Sequence, residues 1–228
     1  MSAKQIRMLS WTACLFSCVM CSTVLAGTLE VQLTDQQGVP LADAVVELYD
    51  PASKVRQTGI KEVAQQDLTF RPFVSAVQVG TQIDFPNQDK TRHHVYSFSP
   101  AKTFELKLYA GKPEAPLLFD KAGIVALGCN IHDYMQAYIY VGESAYLAVT
   151  DDKGVAVFPE VPDGSYQLKL WHPWQDQQVD PVQTTLPQQK LQLQLSVTRQ
   201  VKPSRPKKGF GNNYQAAALK SQRYAVTY

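Results

Sequence analysis

The chain has 228 residues, 45% of them hydrophobic and 18% charged, with a mean hydropathy of -0.21. That is enough apolar material for one large or two small domains, and it excludes collagen-like, coiled-coil and wholly disordered classes. Lys and Arg total 22 against 20 Asp and Glu, so overall charge gives nucleic acid no purchase. The distribution is uneven: all the acids lie between 27 and 196, a body near -7, while the segment after 196 carries seven bases and no acid.

Residues 1–26 read as a secretory signal peptide. Lys4 and Arg7 precede an almost uncharged apolar run, and Val24-Leu25-Ala26 supplies small or apolar residues before Gly27. The mature protein is therefore expected to be periplasmic and not membrane-spanning. Of the four cysteines, Cys14, Cys18 and Cys21 fall inside this segment, which leaves Cys129 alone. A solitary thiol in an oxidising compartment is either buried and inert or held by something that prevents its oxidation, as a metal ion does.

The body reads as strands from end to end. Alternating or β-branched runs fall at 28–33, 44–49, 74–79, 82–85, 95–98, 103–108, 124–129, 137–141, 146–150, 155–158, 166–171 and 191–197. Turn signals separate them: Gln37-Gly38, Pro86-Asn87, Asp152-Lys153-Gly154 and Pro162-Asp163-Gly164. The expected class is all-β, with antiparallel sandwiches or barrels. Thr34-Asp35 with Gly38-Val39-Pro40, and Thr150-Asp151-Asp152-Lys153-Gly154 with Val161-Pro162-Asp163-Gly164, resemble the small prealbumin-like sandwich of carboxypeptidase regulatory-like domains. That resemblance implies a split sandwich of residues 27–60 plus 145–198 around an insert of residues 61–144. A basic flexible tail, 199–228, follows; it reads first as a solvated tail, with docking on an acidic partner or folding back on the acidic body as the alternatives.

The insert carries the chemistry. Cys129-x2-His132-x2-Met135 lies downstream of Asn87-x-Asp89-x3-His93-His94. One thiolate, two imidazoles and a weak thioether make a trigonal His2Cys site with a long axial Met, a donor set that suits both copper oxidation states. His93 and His94 are alternative ligands: the motif spacing favours His93, whereas strand alternation sets His94 with Tyr96 and Phe98 on the bulkier face. His172, in Trp171-His172-Pro173-Trp174, reads as structural, its tryptophans packing in a core or forming a sugar-stacking platform.

With Phe70-x-Pro72, Phe85-x-Asn87-x-Asp89-x3-His93-x-Val95, Phe119-x3-Gly123 and Met135-x3-Ile139-x-Val141, the insert resembles the cupredoxins, the plastocyanin, amicyanin and halocyanin group of blue copper domains. The short gap between His132 and Met135 looks most like amicyanin, and the whole resembles exported proteins of the methylamine utilization type. The resemblance implies a Greek-key sandwich inserted in, or joined to, the second one. It puts one copper ion on His93, Cys129, His132 and Met135, with His94, Asn87 and Gly128 around them. Ala137 stands where the family usually has Gly, Val125 and Gly128 replace aromatic residues, and Asp133 replaces a frequent Pro. The implied function is single-electron transfer with a periplasmic redox partner such as a cytochrome or dehydrogenase, and not enzymatic catalysis. The alternative is a carbohydrate- or protein-binding sandwich in which copper is structural or stored.

Overall fold

The computed structural model describes residues 26–52 and 59–204. Most of the expected signal segment (1–25) and the last part of the basic segment (205–228) lie outside the described residues. Every regular element among those described is a strand, and no helix there is long and apolar enough to cross a membrane. The protein is all-β.

The first strands are β1 (Ala26–Thr34) and β2 (Val45–Tyr49), then the short β3 (Ile60–Glu62), β4 (Ala64–Gln66) and β5 (Thr69–Arg71). The middle of the chain supplies β6 (Val74–Gln78), β7 (Thr81–Asp84), β8 (His93–Ser99), β9 (Lys102–Tyr109), β10 (Leu117–Phe119), β11 (Gly123–Cys129) and β12 (Gln136–Gly142). The last are β13 (Tyr146–Val149), β14 (Val155–Pro162), β15 (Gly164–Trp171), β16 (Val182–Leu186) and β17 (Lys190–Gln194). β3, β4, β5, β10 and β16 go beyond the expected strands. Four of them are three residues long, too short for a period-2 pattern to register, and β16 spends its middle on Gln183, Thr184 and Thr185.

Two cores organise these strands. Sheets β14-β1-β17 and β13-β2-β15-β16 enclose Leu29, Val31 and Leu33 of β1, Val46 and Leu48 of β2, Phe158, Leu168 and Leu195. Along β1 the intervening Glu30, Gln32 and Thr34 are only partly buried, the alternation of a half-buried strand. The second core lies against the five-stranded sheet β6-β12-β11-β8-β9 and includes Ile83, Phe85, Val95, Phe119, Val125, Leu127 and Ile139. Each such aliphatic or aromatic side chain contributes about 1.5–3 kcal/mol by leaving water.

Two Asp-x-x-Gly turns shape the first sandwich. Asp35 Oδ1 accepts the N–H groups of Gln37 and Val39, and Asp151 Oδ1 those of Lys153 and Val155. Gly38 and Gly154 follow at φ 79° and 74°. Gly154 is also pressed onto β1: a Cβ there would stand 2.3 Å from the Leu33 carbonyl oxygen. Only glycine fits both demands. Burial pushes the Asp35 carboxyl up, but the Arg199 guanidinium 2.6 Å away and the two turn N–H groups outweigh it, and the carboxyl sits below its ordinary range.

An aromatic seam joins the two units. Trp171 packs on Tyr138 and Tyr140 at centroid distances of 5.7 and 6.1 Å, and Phe73 lies between Tyr138 and Trp174. Trp171 is buried in this packing and Trp174 is half-buried against Phe73. Beside the seam, buried Glu47 accepts from Tyr140 Oη at 2.7 Å and from the N–H groups of Glu143 and Ser144 at 2.8 Å, so one carboxylate of β2 pins the end of β12. The start of the basic segment is tied down as well: Arg199 pairs with Asp35 and Lys202 with Asp43. Over these residues it folds back on the acidic body.

Candidate metal centre

β8 and β11 position the centre. In β8 the buried side chains are His93, Val95 and Ser97, while His94 and Tyr96 are half-buried and Phe98 is 78% exposed. The smaller residues therefore face the core and the bulkier ones face out. A register irregularity between His93 and Val95, where β8 meets β9, lies at His94 itself. In β11 the buried positions are Val125, Leu127 and Cys129, and Cys129 pairs directly with Val95. The ligand loop then closes on itself, with the Met135 N–H donating to the His132 carbonyl at 2.8 Å before β12 begins.

These elements bring Cys129, His93 and His132 together. Cys129 Sγ lies 3.9 Å from His93 Nδ1 and 3.9 Å from His132 Nδ1, and the three donor atoms fall within 4.8 Å of one another. His93 is fully buried, Cys129 nearly so at 3%, and His132 is half-buried beside Tyr134. The buried Met135 belongs to the same apolar cluster as Cys129. A transition-metal ion about 2.3 Å from sulfur and about 2.0–2.1 Å from nitrogen, at tetrahedral to trigonal angles, would hold sulfur and nitrogen about 3.5–3.8 Å apart, so the observed 3.9 Å suits a shared ion. The donor set, one thiol and two imidazoles, fits copper.

The electrostatics favour the ligating form of the sulfur. Burial alone would push the Cys129 thiol up. The contact with His93 and the hydrogen bonds from the backbone N–H groups of His94, Ile131 and His132 overcome this and draw it below the ordinary thiol value. For His93, burial is outweighed by its contacts with Cys129 and Asp89, and the imidazole is pulled up. His132 goes down, through burial and then the charge of His93.

The other candidates sit around the site. His94 points away from the sulfur, its Nε2 2.9 Å from Glu105 Oε1 across the sheet, which excludes it as a ligand in this arrangement. Asn87 touches the centre only through its loop: Nδ2 donates to the carbonyls of Thr91 and Tyr109, and Oδ1 accepts the Asp89 N–H. Gly128 lies under the ring of Tyr96, so close that a Cβ there would be 2.7 Å from Cζ. Asp89 is a contact that motif spacing alone did not reveal; its Oδ2 lies 2.9 Å from His93 Nε2. The only signal for it is an acid four residues before a histidine in a loop.

Neither a family model nor a curated protein matches the sequence. Among solved structures the chain is similar to a copper-containing nitrite reductase from Thermus scotoductus SA-01 (23% identity, TM-score 0.36). That match covers 42% of this chain and 25% of the reductase. It is also similar to a purple cupredoxin from Nitrosopumilus maritimus (16% identity, TM-score 0.32), over 36% of this chain and 98% of that one. A reduced amicyanin variant matches with 19% identity and a TM-score of 0.32, over 42% of this chain and 98% of the amicyanin. These are partial matches at low identity, and the functional reading rests on the ligand geometry.

Proposed function

We propose that this protein is an exported, cupredoxin-like copper protein that carries single electrons between periplasmic redox partners. The observation that carries the reading is the convergence of two imidazole Nδ1 atoms on one buried thiol at equal 3.9 Å distances. His93, Cys129 and His132, with Met135 in the adjoining cluster, would hold a single copper ion, which would supply a one-electron Cu(II)/Cu(I) couple. The chain's own part is to keep the sulfur as thiolate, hold the His93 ring on β8 and the His132 ring in the closed loop between β11 and β12, and exclude water from His93. The half-buried His132 is the route we assign to electron exchange with a cytochrome or dehydrogenase. On this reading residues 1–26 direct export and are removed, the split regulatory-like sandwich carries the copper unit, and the protein belongs with exported proteins of the methylamine utilization type.

Absorption spectroscopy during Cu(II) titration of the purified protein tests this, followed by potentiometry. The expected result is an intense thiolate-to-copper band at one equivalent and a reversible one-electron step. A protein that binds copper with the band but shows no reversible step would be a storage or structural site, and one without the band would not have this centre.

A further inference from the structure

Asp89 stands behind His93 as His93 stands behind the sulfur. Its Oδ2 is 2.9 Å from His93 Nε2, on a side chain 15% exposed against a ring that is fully buried. The carboxylate is itself fixed from a distant part of the chain. The N–H groups of Asp67 and Leu68, at the turn between β4 and β5, donate to Oδ1 and Oδ2 at 2.9 and 3.0 Å. Both residues sit in the left-handed region, φ 55° and 57°, a conformation costly for Leu68 and one that turns successive N–H groups toward the same side chain. The Asp89 N–H donates in turn to Asn87 Oδ1.

An ionised carboxylate only accepts hydrogen bonds. Against it Nε2 must carry a hydrogen, and in the neutral ring the lone pair is then on Nδ1, the atom 3.9 Å from Cys129 Sγ. The alternative tautomer would set two acceptors face to face at 2.9 Å. A negative charge one imidazole away from the donor cluster also favours a doubly charged over a singly charged ion held there.

We infer that Asp89, clamped by the Asp67–Leu68 turn, is the positioning residue of the centre: it holds the His93 ring with its Nδ1 lone pair toward Cys129 and biases the site toward the more highly charged ion. The orientation stands on the geometry alone, whereas the charge bias rests on the copper reading. The experiment separates them. Long-range proton–nitrogen spectra of the metal-free protein, taken at a pH where His93 is neutral, are expected to show only the Nε2–H tautomer in the wild type and a mixture in Asp89→Ala. Separate Cu(II) and Cu(I) competition titrations of Asp89→Asn, which keeps the side-chain shape, are expected to show Cu(II) binding weakened about 10–100-fold and Cu(I) binding weakened less. A wild-type protein with the Nδ1–H tautomer, or variants with an unchanged tautomer and an unchanged Cu(II)/Cu(I) affinity ratio, would overturn the inference while the copper reading stands. Equal weakening of both ions would overturn the charge bias, and the metal-free spectra alone would then decide whether Asp89 orients the ring. A wild-type protein that binds no copper removes the copper reading and with it the charge bias, and the metal-free spectra still decide the orientation.

Discussion

Each of the two units buries a histidine, and they treat it in opposite ways. In the sandwich built on β1 and β2 His172 is 1% exposed, with Nε2 on the Ala42 carbonyl and Nδ1 accepting the Trp174 N–H. Both nitrogens meet the backbone and both bonds suit the neutral ring, so burial pushes its pKa down to about 4. Against the five-stranded sheet His93 is as deeply buried, yet its nitrogens meet a carboxylate and a thiol and its pKa is pulled up. Burial alone therefore does not separate a structural histidine from a ligand; what faces its two nitrogens does. A ring satisfied by main chain is locked, while one facing a second donor side chain is poised to share an ion.

The comparison breaks first at the sulfur. Cys129→Ser is expected to abolish the thiolate-to-copper band altogether and to leave the strand signal in circular dichroism intact, because the swap is nearly isosteric. A band that survives would mean the thiol is not a ligand. Next in size is Gly154→Ala, in the unit without the centre. It places a Cβ 2.3 Å from the Leu33 carbonyl oxygen, at φ 74°, where neither backbone can yield cheaply. We expect a loss of about 4 kcal/mol in urea unfolding, with copper binding of the surviving folded fraction unchanged.

His172 supplies the third test, in pH. Its folded pKa of about 4 lies below the ordinary 6.5, so between those values the unfolded chain binds the extra proton. Its contribution is complete above pH 6.5 and is lost as pH falls toward 4, about 3 kcal/mol in all and about 2 kcal/mol by pH 5. Asp43, which favours the proton, and Arg199 and Lys202, which oppose it, are the charges that bear on the ring. His93 moves the other way, so the measurement is a difference: urea midpoints at pH 7 and pH 5 for the wild type and His172→Gln. The variant should lose less stability on acidification. Parallel slopes for the two would mean His172 is not held neutral.

Much of this was legible in the sequence because it is local. Cys129, His132 and Met135 lie on one loop, and three-residue spacings convey their proximity without knowledge of the fold. The longer strands were legible through alternation, as in Leu29, Val31 and Leu33. What alternation could not convey is which face of a strand turns inward when the bulky side is the wet one. In β8 hydrophobic size points to Tyr96 and Phe98, yet His93, Val95 and Ser97 face the core. The reason lies on other strands: the outer face of this sheet is covered over β6 and β12 by the seam with Trp171, whereas at the β8 side Phe98 is left exposed. The Asp89 contact and its anchors at Asp67 and Leu68 were illegible for a related cause, since the strands of the hairpin that provides them are only three residues long, with a single apolar residue in each.

The smallest expected effect sharpens the comparison from the other glycine. Gly128→Ala, like Gly154→Ala, puts a Cβ inside contact distance, here 2.7 Å from Tyr96 Cζ. The obstacle is the far end of a side chain on the outer sheet face, with exposed Phe98 the next ring along at 5.1 Å. Gly128 also has no positive φ to defend. Tyr96 can swing toward solvent, so the cost should be about 1 kcal/mol, a quarter of that at Gly154. The same substitution lifts the aromatic ring from the residue bonded to Cys129 and opens that side of the sulfur to water. Hydrogen exchange at the Cys129 amide and the wavelength of the copper band are the measurements: faster exchange with a shifted band is the expected pair. A loss of several kcal/mol would show instead that Tyr96 is as fixed as the backbone against Gly154, and that the outer face of β8 is part of the packed structure.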